Sequence, residues 1–467
     1  MSTKQSRREM LASAGLGFGA AAASSLLGAE SPLSPKKPHE AARAKAVIYL
    51  YMHGGVSHVD TWDPKPELQR LSGKTLPASF VKGLKTSRID FTKALARGSA
   101  WTFRKRGQSG IEVSDLFPRM AGHADEFALV RSCHGDAFDH APAMYLHCTG
   151  SQFPGKPCLG SWVVYGLGSV NGNLPAFVVM TDGAMKCGPQ GYGAGFLPAV
   201  YQGTMFRAGK SPVLDLATPE GVSGETQRAA LDLIGGLNRR HLQDRPFDSD
   251  LEARLESYEL AFRMQSEAPD AVDISKESEA TRRLYGIGEG VSDAFGRKCL
   301  LARRLVERGV RFIQLYSGTH LGDDWDGAHN DLTGSHMKMA AKTDKAISGL
   351  LTDLRGRGLL DSTLVIWGSE FGRTPLSEGR NGRDHHPYAF SMWFAGAGVK
   401  GGRVLGSTDE FGLRPVENPL VSHDVNASIL RLLGMDHRRL TYFFQGRDQR
   451  LTDVHGEHEF TRFLLGA

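Results

Sequence analysis

Residues 363–387 hold the densest set of groups that could do chemistry, in the sequence TLVIWGSEFGRTPLSEGRNGRDHHP. A short apolar run predicts a buried strand, and the glycine turn after it leaves the Glu370 carboxylate at the strand's carboxyl end. Three more candidate ligands follow on the next loop: Asp384, His385 and His386. Carboxylates and imidazoles close together suit a divalent cation. The alternative is a solvated loop in which Glu370 only pairs with Arg373.

Acids and imidazoles also follow three other predicted strands. They are Asp60 after the first strand, Asp139 with His140 after the second, and Asp326 with His329 after a later one. Parallel strands place their carboxyl ends at one edge of a sheet, so these groups are expected to meet there. A single loop of this kind is more often an ordinary surface loop, but four of them at one edge of a sheet predict a metal site.

Short apolar runs predict the strands that must position these groups. They cover residues 46–52, 127–131, 177–180, 310–316 and 363–367. Amphipathic helices are predicted at 300–308 and around 347–354, and a charged helical insertion near 226–277. Alternating strands and helices predict an α/β fold, a three-layer α/β/α sandwich around a mainly parallel central sheet.

The bulk composition narrows the class of protein. The chain has 467 residues, of which 40% are hydrophobic and 23% charged, as is typical of a globular protein. Its net charge is +5, with basic residues that look scattered rather than striped, so no nucleic acid partner is expected. Five cysteines without CxxC spacing argue against a cysteine zinc site and allow one or two disulfides in an exported protein.

The N-terminus predicts export. Arg7 and Arg8 form a twin-arginine pattern, a mildly apolar run follows, and small residues stand at the expected cleavage position. We therefore expect a twin-arginine signal peptide at 1–29, a linker at 30–45 and the folded domain at 46–467. The twin-arginine export machinery would be a partner, the destination periplasmic or extracellular, and no stable membrane span would remain after cleavage.

Four segments resemble an exported family known as domain-of-unknown-function 1501 proteins: GGVSHVDTWDPKP, GSEFGRTP, GRDHHP and QGRDQRLTDVHGE. The resemblance extends from residue 46 to residue 457. This family is distantly related to the alkaline phosphatase and sulfatase superfamily. The resemblance therefore implies an alkaline phosphatase-like three-layer fold and a metal-dependent hydrolase of phosphate or sulfate esters.

The resemblance also assigns metal ligands, with departures from the superfamily pattern. Asp326 and His329 resemble an Asp…His pair, and His385 resembles the distal histidine. Glu370-Phe371 stands where the superfamily has Asp-His, so one imidazole is missing and one metal site is favoured over two. The first-strand position itself resembles His53, and Asp60 is expected to substitute for it as a ligand.

The candidate catalytic residues depart further from the superfamily pattern. His140 stands where sulfatases carry a Cys or Ser nucleophile, which excludes formylglycine chemistry. His140 would be a nucleophile or a metal ligand, with Asp139 setting its tautomer or adding a ligand. Arg373 would clamp the anionic group of the substrate or, alternatively, pair with Glu370.

These interpretations predict an exported metal-dependent hydrolase of phosphate or sulfate esters, without a formylglycine nucleophile. The cofactor would be Zn, Mn, Fe or Ca, and the substrate a small-molecule or polysaccharide ester. The alternative is a secreted, non-catalytic binding or assembly protein with a degenerate metal site.

Overall fold

A computed structural model describes residues 31–207, 212, 213, 216, 218, 220–244, 249–319 and 322–467. The predicted signal peptide at 1–29 lies outside the described residues. The residues predicted as a linker lie along the domain: the backbone N–H of Lys36 donates to Leu167, and those of Arg43 and Ala44 donate to Leu432.

One eight-stranded sheet runs through the domain. In chain order its strands are β1 Ala46–Tyr51, β2 Ala128–Cys133, β3 Phe177–Thr181, β4 Thr204–Arg207, β5 Phe312–Tyr316, β6 Thr363–Gly368, β7 Phe390–Ala395 and β8 Arg403–Leu405. They lie in the order β8-β2-β7-β6-β1-β5-β3-β4. Neighbours pair in parallel except at β7, which is antiparallel to both β2 and β6. The predicted mainly parallel sheet is confirmed.

Helices cover both faces of this sheet. They are α1 His140–Thr149, α2 Leu159–Leu167, α3 Gly224–Asp244, α4 Ser249–Val272, α5 Asp293–Glu307, α6 Leu332–Gly356 and α7 Ser422–Leu432. Helices α3 and α4 occupy the region predicted as a helical insertion.

Strand β1 shows how the three layers are held together. Side chains of a strand alternate between faces, and Ile48 and Leu50 enter one hydrophobic core with Leu350 of α6. Val47 and Tyr49 enter a second core on the other face, together with residues of α2 and α7. The strand is buried along its whole length because each face has its own helical layer. The three-layer α/β/α architecture is confirmed.

Shorter elements connect these layers. Two-stranded pairs join Phe103–Arg106 to Ile111–Ser114, Gly372–Arg373 to His385–His386, Ser407–Thr408 to Pro415–Glu417, and Tyr442–Phe444 to Arg447–Gln449. Short α-helices cover His58–Thr61, Pro66–Arg70, Ala78–Val81, Glu279–Leu284 and Thr461–Leu465. Short 3₁₀ helices cover Met120–Glu126, Gly188–Gly191, Ala199–Tyr201, Ile274–Lys276, Gly290–Ser292, Trp325–His329 and Leu360–Ser362.

All five cysteines are buried and free. The disulfides that the sequence allowed are therefore not formed in this structure. Among the described helices, none has the length and apolar character needed to cross a membrane.

Candidate metal centre

The carboxyl ends of five parallel strands bring titratable side chains to one place. His53 follows β1, His140 follows β2 at the start of α1, and Lys186 follows β3. Asp326 and His329 follow β5 on the 3₁₀ helix Trp325–His329, and Glu370 follows β6. His385 joins them from the pair of short strands beyond Glu370. The convergence is a consequence of parallel strand order, as the sequence pattern predicted.

Close backbone approach shapes the floor of this cluster. Gly54 has φ +114°, and a Cβ there would lie 2.5 Å from the backbone nitrogen of Asp326. Only glycine fits such a conformation and such a contact. The Gly54 N–H then donates to Glu370 Oε1 at 2.9 Å, which links the end of β1 to the end of β6.

Asp326 is the hub of the cluster. Its Oδ1 lies 3.0 Å from His140 Nε2, 3.1 Å from His385 Nε2 and 3.3 Å from His329 Nε2. Burial alone would raise the pKa of Asp326, but contacts with the three imidazoles and with Arg373 outweigh it and hold this pKa well below its usual range. Asp326 is therefore an ionised carboxylate facing three ring nitrogens.

Each of the three rings has a partner that accepts a hydrogen bond from its far nitrogen, Nδ1. His140 Nδ1 donates to Glu370 Oε1 at 2.6 Å, and His385 Nδ1 donates to the carbonyl of Phe138 at 2.7 Å. His329 Nδ1 donates to Glu378. A carboxylate or carbonyl on Nδ1 is the usual way in which a protein orients a metal-binding histidine. In a neutral ring held in this way, the Nε2 lone pair points to the hub. Burial would lower the pKa of His140, but its contacts with Asp326 and Glu370 outweigh it and raise this pKa, so His140 Nε2 also binds a proton that faces Asp326.

The Nε2 atoms of the three rings lie close to each other and to Asp326. His329 Nε2 and His385 Nε2 are 2.8 Å apart, and His140 Nε2 is buried 3.0 Å from Asp326 Oδ1. Burial lowers the pKa of His385 to about 2, so this ring does not take up a second proton near neutral pH. Ring nitrogens that face each other at this distance need a proton or a metal cation between them. The donor set therefore fits a divalent metal ion.

Two overlapping groups of side chains have ligand atoms within 4.8 Å of one another. One is His140, Asp326 and His385, and the other is His329, Asp384 and His385. Asp384 already accepts three backbone hydrogen bonds, from Arg88 at 2.6 Å, Ile89 at 3.2 Å and His385 at 2.8 Å. Since a carboxylate offers about four lone-pair positions, Asp384 is mainly a loop anchor, and the hub is Asp326.

Glu370 lies in the cluster but as a support. Its Oε1 accepts from both His140 Nδ1 and the Gly54 N–H, and Ser369 Oγ donates to its Oε2 at 3.1 Å. Burial would raise the pKa of Glu370, but the hydrogen bond and charge of His140 lower it to about 2. Glu370 thus orients His140, the role that the sequence assigned to Asp139. Asp139 itself is exposed at the N-cap of α1 and has no side-chain cap hydrogen bond.

Asp60, expected as the ligand after β1, lies outside the cluster. It is fully buried against Arg383, whose Nε donates to Asp60 Oδ2 at 2.8 Å, and Ser57 Oγ donates to the same oxygen at 2.5 Å. His53 is the residue that faces the site from β1. Its ring centroid lies 6.5 Å from that of His140, and burial lowers its pKa to about 4.

His386 also points away from the cluster. Neighbouring residues of a strand face opposite sides, so only one of His385 and His386 can reach Asp326. His386 Nε2 donates to the carbonyl of Leu413 at 2.8 Å, and its ring stacks on His58 at a centroid distance of 6.0 Å. His386 therefore contributes to packing.

Arg373 is a support for the site and has little capacity to clamp an anion. It is fully buried, and its Nε donates to the carbonyl of Gly55 at 2.9 Å. Its Nη1 donates to the carbonyl of Arg383 at 3.3 Å, and its Nη2 donates to Gly54 and to Asp326 Oδ1 at 2.7 Å. The predicted pairing of Arg373 with Glu370 needs correction, because its ion-pair partner is Asp326. The clamp on a substrate anion stays a prediction, which these four contacts disfavour.

The cation best placed to meet an anion is Lys186, which the sequence analysis missed. Its Nζ lies 2.5 Å from Asp326 Oδ2 and 3.3 Å from Asp324 Oδ2, with 15% of the side chain exposed. Its only sequence signal is a position shortly after the predicted strand at 177–180. Glu378 was missed as well, because nothing in a single sequence shows that it reaches His329.

The sequence matches one family model over residues 44–461, described as "Protein of unknown function (DUF1501)". The chain belongs to this family. The predicted family resemblance is confirmed. No significant match was found among curated protein sequences.

Several solved structures resemble this DUF1501 protein at low identity. An alkaline phosphatase from the Antarctic bacterium TAB5 is 10% identical, with a TM-score of 0.35, over 85% of this chain and 99% of that one. A sulfatase from Pseudoalteromonas sp. is 14% identical, with a TM-score of 0.36, over 90% and 72%. A protein from a Bacteroides thetaiotaomicron locus for the metabolism of multiple glycosaminoglycans is 10% identical, with a TM-score of 0.42, over 91% and 82%. At these values, the activity has to be argued from the residues of the chain itself.

Proposed function

We propose that this DUF1501 protein is an exported metal-dependent hydrolase of phosphate or sulfate esters. The observation that carries the proposal is the 2.8 Å approach of His329 Nε2 to His385 Nε2 beside Asp326 Oδ1. Imidazoles and a carboxylate suit Zn, Fe or Mn, whereas Ca prefers six to eight oxygen ligands and fits least. When bound there, such an ion would polarise the ester and lower the pKa of an attacking water.

The side chains of the cluster would have two roles: some bind the ion, and others orient the rings that bind it. Asp326, His329 and His385 would hold the ion, and His140 adds a fourth donor. Glu370 and Glu378 keep the rings of His140 and His329 in the orientation that presents Nε2. The outer partners fix the site before substrate arrives, so little reorganisation is needed during the reaction.

Lys186 would bind the anionic group of the ester. Its ammonium now pairs with Asp326 and Asp324, and it is the partly exposed cation at this edge of the cluster. An incoming phosphate or sulfate can share that ammonium with Asp326, since a flexible lysine carries three donors. Arg373 would instead hold Asp326 in place from its buried side.

Water is the nucleophile that this arrangement favours. At the start of α1 the side chain is His140, whose Nδ1 is held by Glu370 and whose Nε2 faces Asp326. Both nitrogens are thus committed to the cluster, and His140 acts as a ligand rather than as the attacking group. The proposal therefore needs no covalent intermediate on the protein.

Turnover of model esters tests the proposal. Protein loaded with Zn, Mn or Fe would be assayed on an aryl phosphate, an aryl phosphodiester and an aryl sulfate. We expect turnover of at least one ester, lost with a chelator and in His385→Ala, and kept in His386→Ala as the matched control. If metal binds and none of the three esters turns over, the account of simple-ester hydrolysis fails, and the secreted binding or assembly protein becomes the better account.

Export is part of the same proposal and has its own test. Residues 1–29, fused to a reporter that is active only when it is exported folded, should direct export. Replacing Arg7 and Arg8 by lysine should abolish export by the twin-arginine machinery. Export of the doubly substituted fusion at the original level would refute this part.

A further inference from the structure

The basic residues of the chain are concentrated in one segment, contrary to the scattered distribution inferred from the bulk composition. Residues 74–97 contain six basic side chains and one acidic one, so this segment alone carries a net charge of +5, equal to that of all 467 residues. The basic residues are Lys74, Lys82, Lys85, Arg88, Lys93 and Arg97. Five of them are exposed, and Arg97 is half-buried. We call these residues the basic segment.

Internal ion pairs do not account for this charge. Lys93 lies 3.4 Å from Asp90, the one acid in the segment, and Arg88 lies 3.7 Å from Glu378. The other four basic side chains make no salt bridge with any acid in the described part of the chain. A mainly basic surface, most of whose charges have no acidic partner, attracts ligands of the opposite sign.

The basic segment is attached to the metal centre. Asp384 Oδ2 accepts the backbone N–H groups of Arg88 and Ile89, and Asp384 directly precedes His385. The Arg88 guanidinium lies near one oxygen of Glu378, whose other oxygen accepts from His329. The basic segment therefore reaches the rim of the site at Arg88.

A groove runs along the same segment, with a volume of about 850 Å³. Its polar lining consists of Ser79, Lys82, Lys85, Thr86, Asp90 and Thr92. Its apolar lining includes Val81, Leu84 and Phe91. Hydroxyl groups and ammonium groups over an apolar floor suit a ligand that carries both hydroxyls and anionic groups.

We propose that the basic segment binds an anionic polysaccharide, sulfated or phosphorylated, and presents one of its ester groups to the metal centre. The second half of this statement rests on the proposed function. One ester at the metal centre would leave most of these cations unpaired, whereas a chain with repeated anionic groups can pair with several of them. Binding would then be driven by charge and would weaken with salt.

The aromatic residues favour a polysaccharide over a nucleic acid. Binding of single-stranded nucleic acid uses exposed aromatic faces on which bases stack. The two phenylalanines of the segment are engaged elsewhere: Phe80 packs on Phe411 at 4.8 Å between ring centroids, and Phe91 packs on His386 at 6.3 Å. The segment offers charge and hydroxyls without a stacking surface.

Charge reversal at the groove tests the proposal, with dextran sulfate as the probe and uncharged dextran as the blank. We expect Lys82→Glu/Lys85→Glu to weaken dextran sulfate binding by roughly tenfold or more at about 0.1 M salt. The matched control is Lys37→Glu/Lys45→Glu, which makes the same change in net charge at two exposed lysines. Lys45 precedes β1, at the opposite edge of the sheet from the site. Thermal melts would verify that both variants are folded.

The outcomes separate this proposal from the proposed function. Equal weakening in the two double variants would overturn the basic segment as the binding surface. A single-stranded oligonucleotide that binds as tightly as dextran sulfate of equal charge would overturn the assignment to a polysaccharide. Because binding is measured without turnover, wild-type protein that binds dextran sulfate through the groove but hydrolyses no aryl ester would support the surface while the proposed function fails.

Discussion

Two carboxylates near the same sheet edge, the buried Asp60 and the partly exposed Asp326, look alike in the sequence and differ in the structure. Asp60 is fully buried and meets donors only: the Arg383 guanidinium and the Ser57 hydroxyl. Asp326 is 24% exposed and, besides Arg373 and Lys186, it faces three imidazole nitrogens. Asp60 therefore has only hydrogen-bond donors around it, whereas Asp326 lies among ring nitrogens that can bind a metal ion.

This difference teaches how to recognise a ligand set. Burial would raise the pKa of Asp60, but Arg383 and Ser57 outweigh it, so the pKa of this carboxyl is lowered by partners that the chain itself provides. Such a carboxylate is already paired with a buried arginine of the protein itself, so it is not expected to bind a metal cation. Ring nitrogens that face each other beside a carboxylate, as at His329, His385 and Asp326, indicate a ligand set instead.

The largest expected effect is on stability, at Asp60. Asp60→Asn should lower the free energy of unfolding by about 3–5 kcal/mol, because the buried charge of Arg383 loses its partner. Metal content per folded chain should stay at the wild-type value. Urea denaturation and elemental analysis measure the two quantities. Asp361→Asn, at an exposed acid, is the control and should change stability by no more than about 0.5 kcal/mol.

Removal of the metal ion should have the next largest effect on stability. A ligand that binds only the folded state, present at about 100 times its Kd, contributes roughly 2.7 kcal/mol. A chelator should therefore lower the melting temperature of the wild-type protein. The same chelator should leave the melting temperature of His385→Ala unchanged, and an equal decrease in both proteins would show that the stabilising ion lies elsewhere.

Glu378 tests the outer partners of the cluster. Glu378→Gln should weaken metal binding by roughly 10–100-fold, because His329 loses the carboxylate that holds its Nδ1 proton. Competition with a coloured chelator measures the affinity. The exposed Glu417 provides the control as Glu417→Gln, which should bind metal as the wild type does. Equal metal affinities of the wild type, Glu378→Gln and Glu417→Gln would show that Glu378 does not support the metal site.

The smallest effect on metal binding is expected at His386, the imidazole next to His385. His386→Ala should leave metal affinity unchanged, since its ring stacks on His58 and donates to Leu413. We expect only a loss of stability, of about 0.5–3 kcal/mol, because a packed side chain is removed. Loss of metal in this variant would mean that the orientation of the two histidines is assigned the wrong way round.

Much of the fold could be predicted from the sequence. Uninterrupted apolar runs identify strands buried on both faces, and the five predicted runs became β1, β2, β3, β5 and β6. Their shared direction then places the groups that follow them at one edge. The antiparallel β7 shows the limit, because an apolar run has no direction in the sequence.

The division of roles within the site could not be predicted in the same way. The sequence shows that Arg373 and Arg383 are close to acids and imidazoles, but not that one would face backbone carbonyls and the other Asp60. Nor does it show that Asp139 is exposed while Glu370 reaches His140. Such pairings depend on contacts between residues far apart in the chain, which spacing in one sequence does not encode.

Metal content per chain, measured by elemental analysis of protein purified without a chelator, tests the central claim most directly. We predict at least one equivalent of Zn, Fe or Mn in the wild type, and none in His385→Ala, which is folded by circular dichroism. A wild-type protein that stays metal-free when supplied with these ions would contradict the account. So would a His385→Ala protein that keeps the full equivalent.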